Sequence, residues 1–305
     1  MRNNRPSWLA SASIVILLLT SLMVIIDAEP ALALVPQPHT SPSHYITNAS
    51  TTALNSLGAS DGTDIGNRSG SYLYILDFGQ EQGTGSGLFG GYAMADFDQA
   101  HGYPLVSFAT IRTLVDGYIS NLAAHAGTAP TLIVAIGTNN DNQCAGHTST
   151  CTPQGFGSQL AFLIYCIAQD NSALSSRVLV ESADDIENGW DDANRTIPMV
   201  QAYNASIHSY LMYDFGDPQG SGWTDAQTQY VAYGAANSRA VPEAYYLNHM
   251  QHWAQIDASY GIFFDGIMTQ YPGGGDSPAQ AWGDFQNTLI NAGVGQSYLY
   301  YGTNI

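Results

Sequence analysis

Carboxylate side chains are concentrated in the segment Glu181–Asp192 (ESADDIENGWDD), which directly follows a short apolar run. In an extended chain the side chains alternate between two sides, so Asp185 and Glu187 project together, with Cα atoms about 6.5–7 Å apart. Two carboxyl groups this close raise the pKa of at least one of them, which leaves a protonated acid beside an ionised partner. Hydrolysis of a glycosidic bond needs such a pair, so the spacing predicts catalytic roles for both residues. The alternatives are a solvated surface loop and a calcium site built from carboxylate oxygens.

Three further acids are candidates for the same site. Asp77 and Asp214 each end an aromatic run in the string Asp-Phe-Gly, where a barrel strand would meet its loop. The preference of Asp for turns explains the same string without any function. Glu243 lies in a later run, where it either faces Glu187 across the site or pairs with an arginine such as Arg239. We expect Asp77 beside the catalytic pair, and Asp214 and Glu243 among the residues that bind substrate.

Two aromatic side chains near these acids are candidates for contact with a sugar ring. Trp190 follows Glu187 by three residues, and Tyr245 follows Glu243 by two. Aromatic rings offer a flat apolar face, and Tyr and Trp add a polar edge, so we expect both residues to bind substrate. For a tyrosine on a predicted strand, packing in the core is the alternative.

The chain that positions these residues alternates short apolar runs with helix-like segments. The predicted strands are Tyr72–Phe78, Thr131–Gly137, Arg177–Ala183, Tyr210–Phe215, Gln229–Gly234, Val241–Tyr246, Ile262–Ile267 and Ser297–Tyr301. The predicted helices are Phe108–Ala126, Gly155–Gln169, Leu247–Ala258 and Pro278–Ala292. Near-continuous apolar strands are typical of a parallel sheet covered on both faces. Eight of them with intervening helices predict one α/β domain, a (β/α)8 TIM-type barrel over residues 71–305, with Gly83–Asp98 as an inserted loop or hairpin.

The sequence Asp185-Ile186-Glu187 at a strand end, with Asp77 ending an early strand, resembles the Asp-x-Glu arrangement of the lysozyme-type barrels of glycoside hydrolase family 25. It also resembles the glycoside-hydrolase-like domains of secreted bacterial proteins. The resemblance extends over the strand and helix rhythm of most of the chain, and its motif is these residues. It implies a retaining hydrolase of peptidoglycan or another polysaccharide, with Glu187 as general acid and Asp185 and Asp77 as electrostatic or substrate-orienting partners. The longer acidic signature of family 18 chitinases is not met, because Ile186 and Asn188 occupy two of its acidic places.

The first 33 residues have the features of a secretory signal peptide. Arg2 and Arg5 precede the apolar run Ser13–Ile26, and small residues follow at Ala31–Ala33. The run is shorter than the roughly 20 residues that cross a bilayer, and an uncleaved anchor is the alternative. Residues 34–70 are predicted to be a flexible leader, because Pro36–Ser60 is rich in Ser, Thr, Asn and Pro. We expect a secreted, extracellular protein without a membrane segment after cleavage.

Cysteine usage agrees with export, and no cofactor or metal is expected. Cys144 and Cys151 flank a polar loop and predict a disulfide, whereas Cys166 lies in an apolar run as a free thiol. The spacing Gly85-x-Gly87-x-x-Gly90 matches a dinucleotide fingerprint, but it begins beyond the strand and opens no helix.

The charge balance limits the possible partners. The chain has no lysine, and seven arginines face 25 acidic residues, for a net charge of -18. Nucleic acid is excluded as a partner, because binding a polyphosphate needs clustered cations. We expect a monomer that acts on polysaccharide, or a non-catalytic secreted barrel that binds glycan or a surface partner, since a barrel does not by itself decide function.

Overall fold

The computed structural model describes residues 34–84, 88–141, 144, 151–206, 210–296 and 298–305, and the predicted signal peptide lies outside them. The described chain is a mixed α/β structure. Its strands are β1 (Thr40–Pro42), β2 (His44–Tyr45), β3 (Gly70–Gly83), β4 (Tyr92–Ala95), β5 (Leu105–Ser107), β6 (Pro130–Asn139), β7 (Val178–Asp185), β8 (Met212–Asp214), β9 (Ser238–Ala240), β10 (Gly266–Thr269) and β11 (Tyr301–Asn304). Its helices are α1 (Thr51–Ile65), α2 (Phe108–His125), α3 (Pro153–Asp170), α4 (Ala193–Asn204), α5 (Asp225–Gln229), α6 (Leu247–Tyr260) and α7 (Pro278–Asn291).

Most of the strands are parallel. The larger sheet has the order β5-β4-β3-β6-β7-β8-β9, in which β4 and β5 are antiparallel additions and the other strands run parallel. The smaller sheet has the parallel order β1-β11-β10. Within the larger sheet β2 also pairs with β3, and isolated parallel bridges join Ala240 of β9 to Phe264 and Glu243 to Met268 of β10.

Alternate residues of the strands pack on opposite sides. One buried cluster takes residues from β3, β6, β7 and the segments at β8 to β11, and it includes Leu73, Ile75, Ala183, Tyr213 and Met268. The intervening residues of β3, such as Tyr72, Tyr74 and Leu76, pack with the helices in a larger cluster. Both sides of the strands are therefore apolar, as the near-continuous apolar runs predict.

The prediction of a flexible leader over residues 34–70 is wrong, because the segment contains β1, β2 and α1. The side chain of Ser50 caps α1 by accepting from Ala53 N. Gly58 and Gly62 let α1 approach α2 closely, since a Cβ at Gly58 would lie 2.4 Å from Tyr118 O. Glycines make the contact between α1 and α2, so this part of the sequence has few of the large apolar residues that usually indicate a packed helix.

Other predicted boundaries also change. The predicted strand Gln229–Gly234 is helical: α5 begins with a capping box of Thr224 and Gln227, and Tyr230–Gly234 continues it as a π turn. Extended pairing near the predicted strand Val241–Tyr246 is limited to β9 and the bridge at Glu243. The four predicted helices are confirmed to within a few residues. The inserted segment forms a hairpin, because β4 pairs antiparallel with the end of β3.

The predicted disulfide between Cys144 and Cys151 is present, and Cys166 is a half-buried free thiol. Among the described helices, none combines the length and the apolar character required to cross a membrane.

Candidate functional site

Three carboxyl groups meet beyond the carboxyl ends of β7 and β9. Asp185 is the last residue of β7, Glu187 follows it by two residues, and Glu243 lies three residues after β9. Their nearest carboxylate oxygens all lie within 4.8 Å of one another. We call these residues the carboxylate triad. The sequence predicted all three as site residues, and the structure brings them together.

Burial and mutual repulsion raise the pKa of each triad member. Burial raises the pKa of Glu187 to about 7, and the charges of Asp217 and Asp141 add to the rise. Burial raises the pKa of Glu243 to about 9; the neighbouring Tyr245 hydroxyl opposes this rise, and the charge of Glu187 adds to it. The pKa of Asp185 lies well above its usual range, because the side chain is buried beside the other two carboxyl groups. The triad therefore holds protons near neutral pH, and it binds the proton on Glu243 more tightly than the proton on Glu187.

Asn140 positions the backbone of Glu187. Its Nδ2 donates to Glu187 O at 3.1 Å, and its Oδ1 accepts from Glu187 N at 3.0 Å. Asn140 is fully buried, and it directly follows β6, the neighbour of β7. Sequence reasoning missed this residue, although the polar string Gly137-Thr138-Asn139-Asn140 at the end of an apolar strand was the available signal.

Asp77 lies close to the triad in the middle of β3, just before the irregularity in the pairing of β3 with β6. Its Oδ1 accepts from Gly79 N at 2.8 Å, while Oδ2 is buried without a hydrogen-bond partner. Burial raises the pKa of Asp77 to about 7, and its charge contributes to the raised pKa of Asp185. Gly137 is required opposite Asp77, because a Cβ there would lie 2.8 Å from the Asp77 Cα. Asp77 therefore stays a candidate for the orienting role.

A second group overlaps the triad. Asp217, Glu243 and His249 also place one ligand atom each within 4.8 Å of one another, so Glu243 belongs to both groups. His249 Nδ1 lies 3.1 Å from Asp217 Oδ2. His249 lies in α6, and its partners come from loops that are distant along the chain, so the sequence alone does not indicate this group.

The remaining predicted residues lie in different surroundings. Tyr245 is buried beside Glu243, and Tyr45 of β2 is close to both. Trp190 is 38% exposed and lines a separate cleft. Asp214 is fully buried, and it lies on the face opposite the inner residues Tyr213 and Phe215, because neighbours in a strand alternate. The structure thus does not bring Asp214 into the triad.

The arrangement can transfer protons and stabilise positive charge, and it can also hold a cation through carboxylate oxygens. In the described part of the chain, the arginine salt bridges are those of Arg112 with Asp170 and Arg195 with Asp191, and neither includes a triad residue. No protein-family model and no curated protein matches this sequence.

Proposed function

We propose that this protein is a secreted glycoside hydrolase that cleaves a cell-wall or environmental polysaccharide at the carboxylate triad. The observation that carries the proposal is the convergence of Asp185, Glu187 and Glu243, with nearest oxygens within 4.8 Å and with raised pKa values. Glycoside hydrolysis uses one carboxyl group to protonate the leaving oxygen and a second to stabilise or attack the sugar carbon. A disulfide and the signal-like start of the sequence support the secreted location.

We also propose that the scaffold of this site is a closed (β/α)8 barrel. Eight parallel segments support it: the β1–β2 segment, β3, β6, β7, β8, β9, β10 and β11. Bridges join Ala240 of β9 to Phe264, just before β10, and Glu243, just after β9, to Met268 of β10, and the β1–β2 segment joins β11 to β3. The triad would then occupy the carboxyl-terminal mouth, where barrels hold their active sites.

The pKa order divides the roles within the triad. Glu243, with a pKa of about 9, keeps its proton at neutral pH and is the better proton donor. Glu187, with a pKa of about 7 and a partly exposed side chain, ionises first and suits the nucleophile or base. The resemblance to glycoside hydrolase family 25 implies the acid role for Glu187, so the two assignments are opposite and an experiment separates them.

The carboxyl separation favours retention of anomeric configuration. Retaining enzymes hold the two carboxyl groups about 5–5.5 Å apart, whereas inverting enzymes need about 6.5–9.5 Å to admit a water molecule. The nearest oxygens of the triad, one from each residue, lie within 4.8 Å of one another, which is closer to the retaining separation than to the inverting one. An NMR time course of the product anomers tests this point, and initial release of the inverted anomer would contradict it.

The main experiment measures release of reducing sugar from peptidoglycan, chitin and plant polysaccharides by the wild type, Glu187→Gln and Glu243→Gln. Loss of the general acid lowers the rate about 10²–10⁴-fold on a natural glycoside but spares a substrate with an activated leaving group. We expect the activated substrate to be spared in Glu243→Gln and not in Glu187→Gln. Full activity of both variants on polysaccharide would reject the carboxylate triad as the catalytic site. Binding without release by the wild type would favour the non-catalytic alternative.

Binding of a divalent cation is the second candidate function, favoured by the two overlapping groups that share Glu243. Carboxylate oxygens suit calcium, and the addition of His249 suits a transition metal. The melting temperature of the wild type and of Glu243→Gln in Ca²⁺, Mn²⁺ or chelator tests this function. A metal-dependent rise in the wild type that is absent in the variant would support it, and identical melting in all buffers would reject it.

A further inference from the structure

A separate cleft of about 460 Å³ lies beside the triad, between the loops that follow β7 and β8. Its lining includes Asn188, Trp190, Asp191, Asp192, Asn194 and Trp223. Trp190 N donates to Glu187 O at 3.2 Å, so Glu187 and Trp190 are the two ends of one turn, with Cα atoms within about 7 Å. A molecule bound in this tryptophan cleft would therefore lie next to the triad.

The loops around the cleft hold the side chain of Trp223 in place. The Nε1 of Trp223 donates to Asp191 O at 2.8 Å, and part of its ring packs against the main core. Asn188, which is buried, donates from Nδ2 to Pro218 O at 2.9 Å and so ties the two loops together. Trp190 remains exposed beside them. Aromatic faces next to polar side chains are suited to sugar rings, which have apolar faces and polar edges.

The charge around the tryptophan cleft is strongly negative. Asp191 and Asp192 line it, and Glu187 of the triad is joined to the cleft residue Trp190 by the hydrogen bond of one backbone turn. The guanidinium of Arg195 lies 3.4 Å from Asp191 and offsets one of these charges. The sequence contains no lysine and has a net charge of -18. Such a field repels polymers of uronic acids or phosphates and attracts a cation.

We propose that the tryptophan cleft binds an oligosaccharide of amino sugars that carry free, protonated amino groups. The rings stack on Trp190 and Trp223, and the ammonium groups lie near Asp191 and Asp192. The proposal deepens the hydrolase function, because it names the substrate class, and it rests on that function only for cleavage and not for binding.

The test is calorimetric titration of the Glu187→Gln variant, which prevents turnover, in weakly acidic buffer. The ligands are a glucosamine hexamer, its fully N-acetylated counterpart and a galacturonate hexamer. We expect the glucosamine hexamer to bind about tenfold more tightly than the acetylated hexamer and to lose affinity as the salt concentration is raised. We expect the galacturonate hexamer not to bind. Equal or tighter binding of the acetylated or the acidic hexamer would overturn the proposal.

Two variants locate the binding. Trp190→Ala should weaken binding of the glucosamine hexamer about tenfold or more, because stacking is lost. Asp192→Asn keeps a good cap for α4 but removes a charge, so we expect about fivefold weaker binding of the glucosamine hexamer alone. Tyr260→Ala, at an exposed aromatic residue that ends α6, is the matched control and should bind as before. Unchanged binding by Trp190→Ala would refute the location.

The outcomes separate this proposal from the hydrolase proposal. Tight binding of the glucosamine hexamer without cleavage of its polymer by the wild type would leave the cleft proposal standing and remove the hydrolase. Cleavage of an acetylated polymer with no preference for free amino groups would leave the hydrolase proposal standing and remove the cleft proposal.

Discussion

Asp214 is the residue whose ionisation state has the clearest consequence for stability. Burial raises its pKa to about 7, although the backbone N–H groups of Gly216 and Ile186 act in the opposite direction. In the unfolded chain an aspartate has a pKa of about 4. Between these two values the folded chain holds a proton that the unfolded chain has released, so the free energy of unfolding falls as pH rises. A difference of about three pKa units corresponds to about 4 kcal/mol lost by pH 8, since one unit is about 1.4 kcal/mol.

Asp214→Asn removes this pH dependence and keeps the local geometry. The amide Oδ1 can still accept from Gly216 N, which lies 3.1 Å from the carboxylate in the wild type. At low pH both side chains are neutral, because the native carboxyl group is then protonated. The two proteins should therefore be equally stable near pH 4, and the variant should gain up to about 4 kcal/mol by pH 8. Repulsion with Asp184, its paired neighbour in β7, adds to the effect.

Urea denaturation at a series of pH values measures this difference. Asp64→Asn, at an exposed residue of α1, is the control and should change the free energy of unfolding little at any pH. A stability difference between Asp214→Asn and wild type that stays constant with pH would refute the reasoning. So would a variant that is less stable than the wild type at pH 8.

In stopped assays the hydrolysis rate should follow a bell-shaped pH profile with limbs near about 7 and about 9, because Glu187 must lose a proton while Glu243 keeps one. The variant Glu243→Gln should abolish the upper limb of this profile. Asn140→Ala should lower the free energy of unfolding by about 2–4 kcal/mol and slow hydrolysis, whereas unchanged kinetics would mean that the clamp on Glu187 is not needed. Gly58→Ala should destabilise the protein by about 1–3 kcal/mol, because the new methyl group meets Tyr118 O, while Gly283→Ala in α7, with no atom within 4 Å, should be neutral or stabilising in the same melts. Cys151→Ser should lower the free energy of unfolding by about 2 kcal/mol, because it removes the disulfide that closes a short loop. Equal melting temperatures of the oxidised and the reduced wild type would contradict this.

The strand and helix pattern made much of the fold predictable. Strands β3, β6 and β7 are near-continuous apolar runs, and such runs signal burial on both faces regardless of the details of packing. The helix α1 was missed because its contact with α2 depends on Gly58 and Gly62, whose role is visible only when the second helix is in place. The helix α5 was missed for a different reason: its aromatic continuation has the residue types of a strand, and the capping box at Thr224 outweighs them.

The site was predictable where residues are close along the chain. Asp185 and Glu187 are two positions apart in sequence, and strand periodicity alone aligns them. Other residues at the site come from distant segments of the chain, namely Asn140, Asp217 and His249. A single sequence does not show that these segments lie close together in the fold. Asp214 shows the converse, since the same Asp-Phe-Gly string as Asp77 leads to the opposite face of the sheet.

The same burial that gives the triad its chemistry also makes the fold sensitive to alkali. Asp77, Glu187 and Asp214 all have a pKa near 7, raised first by burial, so each releases a proton over the range in which the proposed hydrolysis requires Glu187 to ionise. Each such ionisation inside the fold lowers the free energy of unfolding. Activity should therefore peak on the falling side of the stability curve, and not at the pH of greatest stability. A ligand with positive charge relieves this conflict, because an ammonium group near the triad favours the ionised carboxylates without unfolding the chain. The preference inferred for amino sugars and the pH sensitivity of the fold thus have a common origin, the large excess of acidic over basic side chains in the sequence.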